Sequence, residues 1–337
     1  MRRIFHHALR HAGRTLAVAA LAAALAHCAH ETPVLHRFPR PRLGPDSFVS
    51  SDLESFGYRK WAAPGHQPET IVIGIHGFCG AAIDYENLGH RLASEYPANA
   101  VYAYEIRGQG NDPVRSRRGD VADAADWARD LHTFTNLLRA EYPHARIVWF
   151  GESMGALIAA HACARAPDPD RPPCDALVLS SPITKIRDDF PAWKQVFVRV
   201  VARALPTARV SVDTLTGGQP IQMTHDTLHA EQSETNAWHI ERHTLRLLVT
   251  LADLAADMQR IAPALHAPTL VMHGGRDFAS RPDDVREFCA LLPNRPGNQR
   301  LFYPNSHHLL MYDQDREQAI TDAADWIDAL RHPRRNR

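Results

Sequence analysis

The chain lacks any charge imbalance: its 337 residues carry 38 Lys and Arg against 38 Asp and Glu, a formal net charge of zero. Such a balance leaves no electrostatic footprint for nucleic acid or for a strongly acidic partner. It also lacks metal-ligand spacing among its five cysteines and 21 histidines, so no metal site is expected. No internal repeat or low-complexity tract stands out. The apolar run from Thr15 to Ala26 is twelve residues long, short of the roughly 20 that a membrane span needs. What remains is a chain with 45% hydrophobic residues, which suits one large domain, or a domain with an insertion.

That twelve-residue run has another reading. Arg2, Arg3, Arg10 and Arg14 precede it, and Ala24-Leu25-Ala26 offers an A-x-A cleavage pattern. This is the build of a secretory signal over residues 1–28. Leu25-Ala26-His27-Cys28 is similar to a bacterial lipoprotein box, although His27 stands where a small side chain is usual. An uncleaved anchor is the third reading. All three expect an exported protein, periplasmic or membrane-anchored. Residues 29–46, rich in proline and arginine, read as a tether. An oxidising compartment would permit disulfides. Cys163 and Cys174 flank a short link and could pair, or could be two buried thiols.

From residue 47 the pattern alternates. Ile71-Val72-Ile73-Gly74-Ile75 is a β-branched run expected of a strand buried on both faces. Helical spacing follows over 84–96, with Leu88 and Leu92 on one face, and over 122–142, with Trp127, Leu131, Phe134 and Leu138. Strands are expected at 101–104, 147–150, 176–180, 269–272 and 300–303, with helices at 285–292 and 317–330. Strand–helix alternation predicts a mostly parallel sheet with helices on both faces. Between 184 and 263 the alternation breaks, with helices expected over 193–204 and 237–261.

The chemistry sits where strands end. Ile147-Val148-Trp149-Phe150 runs into Gly151-Glu152-Ser153-Met154-Gly155 and then into an alanine-rich helix. This strand–G-x-S-x-G–helix turn is a nucleophile elbow. It lifts the Ser153 hydroxyl clear of the backbone. It also aims the Met154 N–H at a substrate oxygen, with a helix N-terminus behind it. A serine hydroxyl is a weak nucleophile and needs a base, normally a histidine held by a carboxylate. Asp277 closes a strand and loop, and His308 follows 31 residues later, after one helix and one strand. Ligands of such sheets bind outside the carboxyl ends of the strands, so these groups should meet at one edge.

Five stations in order then carry a resemblance. They are His76-Gly77-Phe78, Arg107-Gly108-Gln109-Gly110, the Ser153 elbow, Gly274-Gly275-Arg276-Asp277 and Pro304-Asn305-Ser306-His307-His308-Leu309-Leu310. Together they resemble the α/β-hydrolases of the monoacylglycerol lipase and lysophospholipase type, the serine aminopeptidase-like hydrolases. The resemblance covers residues 47–332. It implies an α/β-hydrolase core over 47–183 and 264–332, and a helical cap insertion over 184–263 that selects the substrate. It implies Ser153 as nucleophile, Asp277 as acid, His308 as base and an oxyanion hole from the N–H groups of Phe78 and Met154. Two positions depart from the pattern. Glu105 stands near the place of the usual aspartate, and Asn305 takes a usual glycine. His307, the other candidate for the base, then neighbours the site, and His76 is expected to brace the oxyanion loop. Cys79 reads as a small buried residue, and Asp84, Glu152 and Asp313 as solvated or capping.

The expected activity is cleavage of carboxylic esters, small-molecule or lipid, with monoacylglycerol or lysophospholipid preferred. Apolar positions in the cap helices (Trp193, Val196, Phe197, Val200, Trp238, Leu245, Leu248) are expected mostly to dock the cap, with some lining an acyl tunnel. The alternatives are a peptidase or acyltransferase on the same triad and a catalytically silent envelope lipoprotein. An aminopeptidase would need a carboxylate in the cap, for which Asp213, Asp226, Glu231 and Glu234 are the candidates.

Overall fold

The computed structural model describes residues 40–166, 168, 170–185, 192–211, 222–225 and 238–331. The stretch read as a signal or lipoprotein leader, with Cys28, lies outside the described residues. So do Asp213, Asp226, Glu231 and Glu234 and the side chain of Trp193.

Eleven strands and seven helices are described. The strands are β1 (Arg42–Leu43), β2 (Ser47–Val49), β3 (Ser55–Ala62), β4 (Thr70–Ile75), β5 (Asn99–Tyr104), β6 (Arg146–Glu152), β7 (Ala176–Ser180), β8 (Arg209–Ser211), β9 (Arg242–Thr244), β10 (Thr269–Gly274) and β11 (Gln299–Tyr303). The helices are α1 (Glu86–Glu95), α2 (Ala124–Glu141), α3 (Met154–Ala164), α4 (Ala192–Ala204), α5 (Leu245–Ile261), α6 (Pro282–Leu291) and α7 (Arg316–Ala329). Among the described residues, nine strands form one sheet in the order β1-β2-β3-β5-β4-β6-β7-β10-β11. From β5 to β11 all neighbours run parallel. The sheet begins inside the stretch read as a tether, because Arg42 and Leu43 pair with Val49 and Phe48.

The β-branched run explains the two-faced core. Along β4, Ile71, Ile73 and Ile75 join one apolar cluster with Trp127, Leu131, Phe134 and Leu138 of α2. The intervening Val72 joins the other, with Leu88 and Leu92 of α1 and Ala319, Ile320 and Ile327 of α7. A strand must be apolar on both sides to do this. The chain leaves β4 for β5 on one side, then returns to β6 on the other. That reversal is the switch point where doubly wound sheets place ligands.

The inserted segment differs from expectation in two ways. Helix α5 starts at Leu245, because Arg242–Thr244 pair with Arg209–Ser211 as a two-stranded ribbon. And α4 does not bury the whole apolar face read from its spacing: Val196, Phe197 and Val200 are 60%, 62% and 57% exposed. Leu247, Leu254 and Met258 of α5 do pack into the core cluster.

Candidate active site

Three strand ends build the site. Ser153 follows β6 and adopts φ 53° and ψ −115°, a conformation that costs a non-glycine residue about 1–3 kcal/mol. The flanking glycines make the turn sterically feasible. A Cβ on Gly155 would lie 1.7 Å from the Ile75 carbonyl oxygen, and one on Gly151 would lie 2.4 Å from the Gly155 oxygen. Ser153 then heads α3, so the Met154 N–H is among the helix donors without an intrahelical acceptor.

Asp277 comes from the loop after β10 and His308 from the loop after β11. His308 Nε2 lies 2.7 Å from Ser153 Oγ. Its Nδ1 lies 2.9 Å from both Asp277 oxygens. All three residues are buried. Asp277 Oδ1 also accepts N–H bonds from Ala279 (2.7 Å) and Ser280 (3.3 Å), which fix the carboxylate. The Ser181 hydroxyl donates to the His308 carbonyl at 2.6 Å, which ties down the His308 backbone. Burial works to raise the Asp277 carboxyl, but the His308 charge and hydrogen bond outweigh it and the group is lowered. Burial likewise works against the charged His308, but the Asp277 charge and hydrogen bond outweigh it, and the imidazole is raised above 6.5. An ionised carboxylate therefore holds Nδ1–H, and Nε2 is left to exchange a proton with Oγ.

The His76-Gly77-Phe78-Cys79-Gly80 turn, expected to hold the oxyanion, follows β4, next to β6. A Cβ on Gly77 would stand 3.4 Å from the Ser153 Cβ, so the turn backbone lies against Ser153. His76 braces it as expected. It is buried, its Nε2 accepts from the Ile106 N–H at 3.1 Å, and its Nδ1 donates to the Gly77 carbonyl at 3.0 Å. Gln109 of the Arg107-Gly108-Gln109-Gly110 loop adds a second brace, accepting from the Cys79 N–H at 3.1 Å. Thus the second motif supports the oxyanion turn rather than touching the triad.

Residues 66–315 match the model of the serine aminopeptidase S33 family. The chain belongs to that family. A monoacylglycerol lipase of Mycolicibacterium smegmatis is 23% identical over 80% of this chain and 91% of its own length. A pimeloyl-[acyl-carrier protein] methyl ester esterase of Chromobacterium violaceum is 26% identical over 77% of this chain and 94% of its own. Among solved structures, a soluble variant of the monoglyceride lipase of Saccharomyces cerevisiae superposes with a TM-score of 0.71 at 18% identity, covering 88% of this chain and 98% of that one. The fold is that of an α/β-hydrolase, and the relatives are lipases and esterases.

Within this S33 hydrolase, three acidic residues near the site divide by environment. Asp84 caps the turn before α1, its Oδ2 accepting from the Ala81 N–H at 2.9 Å. Burial pushes its carboxyl up to about 7. Glu152 is not solvated, one of the two settings expected for it. It is 1% exposed, and burial, reinforced by Asp84, pushes its carboxyl up to about 8. Asp313 caps backbone N–H groups, one of the two settings expected for it. It accepts from the His307 N–H, from His307 Nδ1 at 3.0 Å and from the His225 N–H at 2.6 Å. His307 thus belongs to Asp313, and His308 alone of the pair reaches Ser153. The Leu309 N–H donates to the Met223 carbonyl at 3.1 Å. His308 is therefore tied to residues 222–225 directly through Leu309 on one side and through the Asp313 carboxylate that His307 and His225 share on the other. Cys163 and Cys174 are free, buried thiols in contact with each other.

Proposed function

We propose that the chain is a serine hydrolase that cleaves carboxylic esters through an acyl-enzyme, with monoacylglycerol or lysophospholipid as preferred substrates. One observation carries the reading: the 2.7 Å contact from His308 Nε2 to Ser153 Oγ, with both Asp277 oxygens on Nδ1. Ser153 Oγ attacks the acyl carbonyl while Nε2 takes its proton. The N–H groups of Phe78 and Met154 face the oxyanion. As the tetrahedral species collapses, Nε2 returns the proton to the leaving alcohol. Water, deprotonated by the same nitrogen, then releases the acid.

The preference for an apolar acyl group is supported by the aromatic surroundings. The Phe278 ring centre is 5.2 Å from that of His308, and Phe78 sits on the oxyanion turn. The relatives named above point the same way. We also place the body of the protein outside the cytoplasm, near membrane lipid, on the basic and apolar pattern of residues 1–28.

The test is steady-state hydrolysis of monoacylglycerols, lysophospholipids and p-nitrophenyl esters of graded chain length, beside aminoacyl p-nitroanilides. The expected result is ester turnover that rises with chain length and vanishes in Ser153→Ala. Turnover of the anilides with inert esters would replace the esterase reading with a peptidase.

A further inference from the structure

The oxyanion turn is held from below by His76 and Gln109. It is also held from above, by the inserted segment. The His243 ring of β9 lies with its centre 4.1 Å from that of Phe78, at 36°. Its Nε2 lies 3.5 Å from Cys79 Sγ. Cys79 Sγ also lies 3.8 Å from the Ile240 carbonyl oxygen. Cys79 has φ 60°, in the left-handed region, and such strain in a non-glycine residue persists only where neighbours over-determine it. Here the neighbours are Gln109 on the backbone and β9 on the side chain.

His243 is itself rigidly seated. It is fully buried. The next residue, Thr244, donates its N–H to the Gly119 carbonyl at 2.8 Å and its hydroxyl to Asp120 at 2.7 Å. Arg246 pairs with the same Asp120. Arg209 of β8 donates to the Arg118 carbonyl at 2.6 Å. The ribbon is thus fastened at 118–120. The contact with Phe78 is between uncharged groups. Burial, with Arg209 and His239 adding, pushes the His243 ring down to about 4. Burial pushes the Cys79 thiol up to about 12.

We propose that His243 is a positioning residue for the oxyanion hole: its ring clamps Phe78 and Cys79, so that the Phe78 N–H is aimed at the carbonyl oxygen before substrate arrives. This rests on the hydrolase reading and assigns the ribbon a part in catalysis. A donor held in place costs no reorganisation during reaction, which is where such groups gain their effect.

The test uses the full chain, wild type beside His243→Ala and His243→Phe, with a p-nitrophenyl ester and an alkyl trifluoromethyl ketone. The ketone adds the nucleophile and forms an oxyanion. His243→Ala should lower kcat by roughly tenfold to a hundredfold, less than outright loss of a donor, with KM nearly unchanged. Ketone affinity should weaken in parallel. His243→Phe, which keeps an aromatic ring over Phe78, should recover most of both. The inference is overturned if folded His243→Ala keeps kcat and ketone affinity, or if folded His243→Phe loses both. Should His243→Ala fail to fold, His243→Phe alone decides. An inert wild type would instead fell the hydrolase reading itself.

Discussion

His308 can take a proton from Ser153 only as a neutral ring. Its pKa is raised above 6.5, with Asp277 overcoming burial. Activity should therefore climb with pH through a limb lying above 6.5, and be lost below it. Asp277→Asn removes the charge that raises the ring, so the limb should move to lower pH while kcat falls, by roughly ten-thousandfold where such a carboxylate has been replaced in a triad. A pH–rate profile of the two proteins checks both. Asp313 makes a second case. Asp313→Asn leaves the bonds of His307 and His225 without their carboxylate, at a cost of about 1–3 kcal/mol. Because those bonds frame the base, kcat should fall roughly tenfold to a hundredfold with little change in KM, measured beside a urea melt. The sequence made Ser153, Asp277 and His308 legible, since each follows a strand end at the spacing the chemistry needs. It named Asp313, Glu152 and Gln109 without the contacts they make, and it did not single out His243. Their importance lies in burial and in contacts across the fold, between positions as far apart as Asp313 and His225, and no local spacing encodes those.

Among the elements, the long ones were readable and the short ones were not. Helix α2 presents Trp127, Leu131, Phe134 and Leu138 to the core, as their spacing predicts. The β8–β9 ribbon has three residues per strand, too few to display a period, so its second strand was absorbed into the expected start of α5. The apolar residues of α4 illustrate a different limit. Spacing located a face, but not whether a partner covers it. The elbow is where local sequence and packing agree most closely. Gly155→Ala would drive a Cβ to 1.7 Å from the Ile75 oxygen. Helix α3 and β4 cannot separate without opening the core, so the substitution should cost at least about 3 kcal/mol, seen as a lowered urea midpoint or loss of soluble protein.

For the whole molecule, the buried titratable groups set stability against pH in opposite senses. Asp277 is lowered, so its contribution is present above 3.8 and fades as pH falls through its folded value. His308 is raised, so its contribution is present below 6.5 and fades as pH rises through its folded value. Glu152 acts differently. Its carboxyl is raised from 4.5 to about 8, so the folded state keeps a proton that the unfolded chain releases. Stability is then lost as pH rises from 4.5 towards about 8, on linkage grounds. Glu152→Gln is neutral throughout and should remove that loss. Thermal melts across this range should diverge, with the variant the more stable at the alkaline end. Convergent melts would place the Glu152 carboxylate in a solvated setting.

The central claim is that Ser153 is a nucleophile activated by His308. The most direct measurement is intact mass of the full chain after treatment with a fluorophosphonate. The account predicts one adduct on the wild type, none on Ser153→Ala and much slower labelling of His308→Ala. No adduct on the folded wild type, or an adduct that persists in Ser153→Ala, would contradict it.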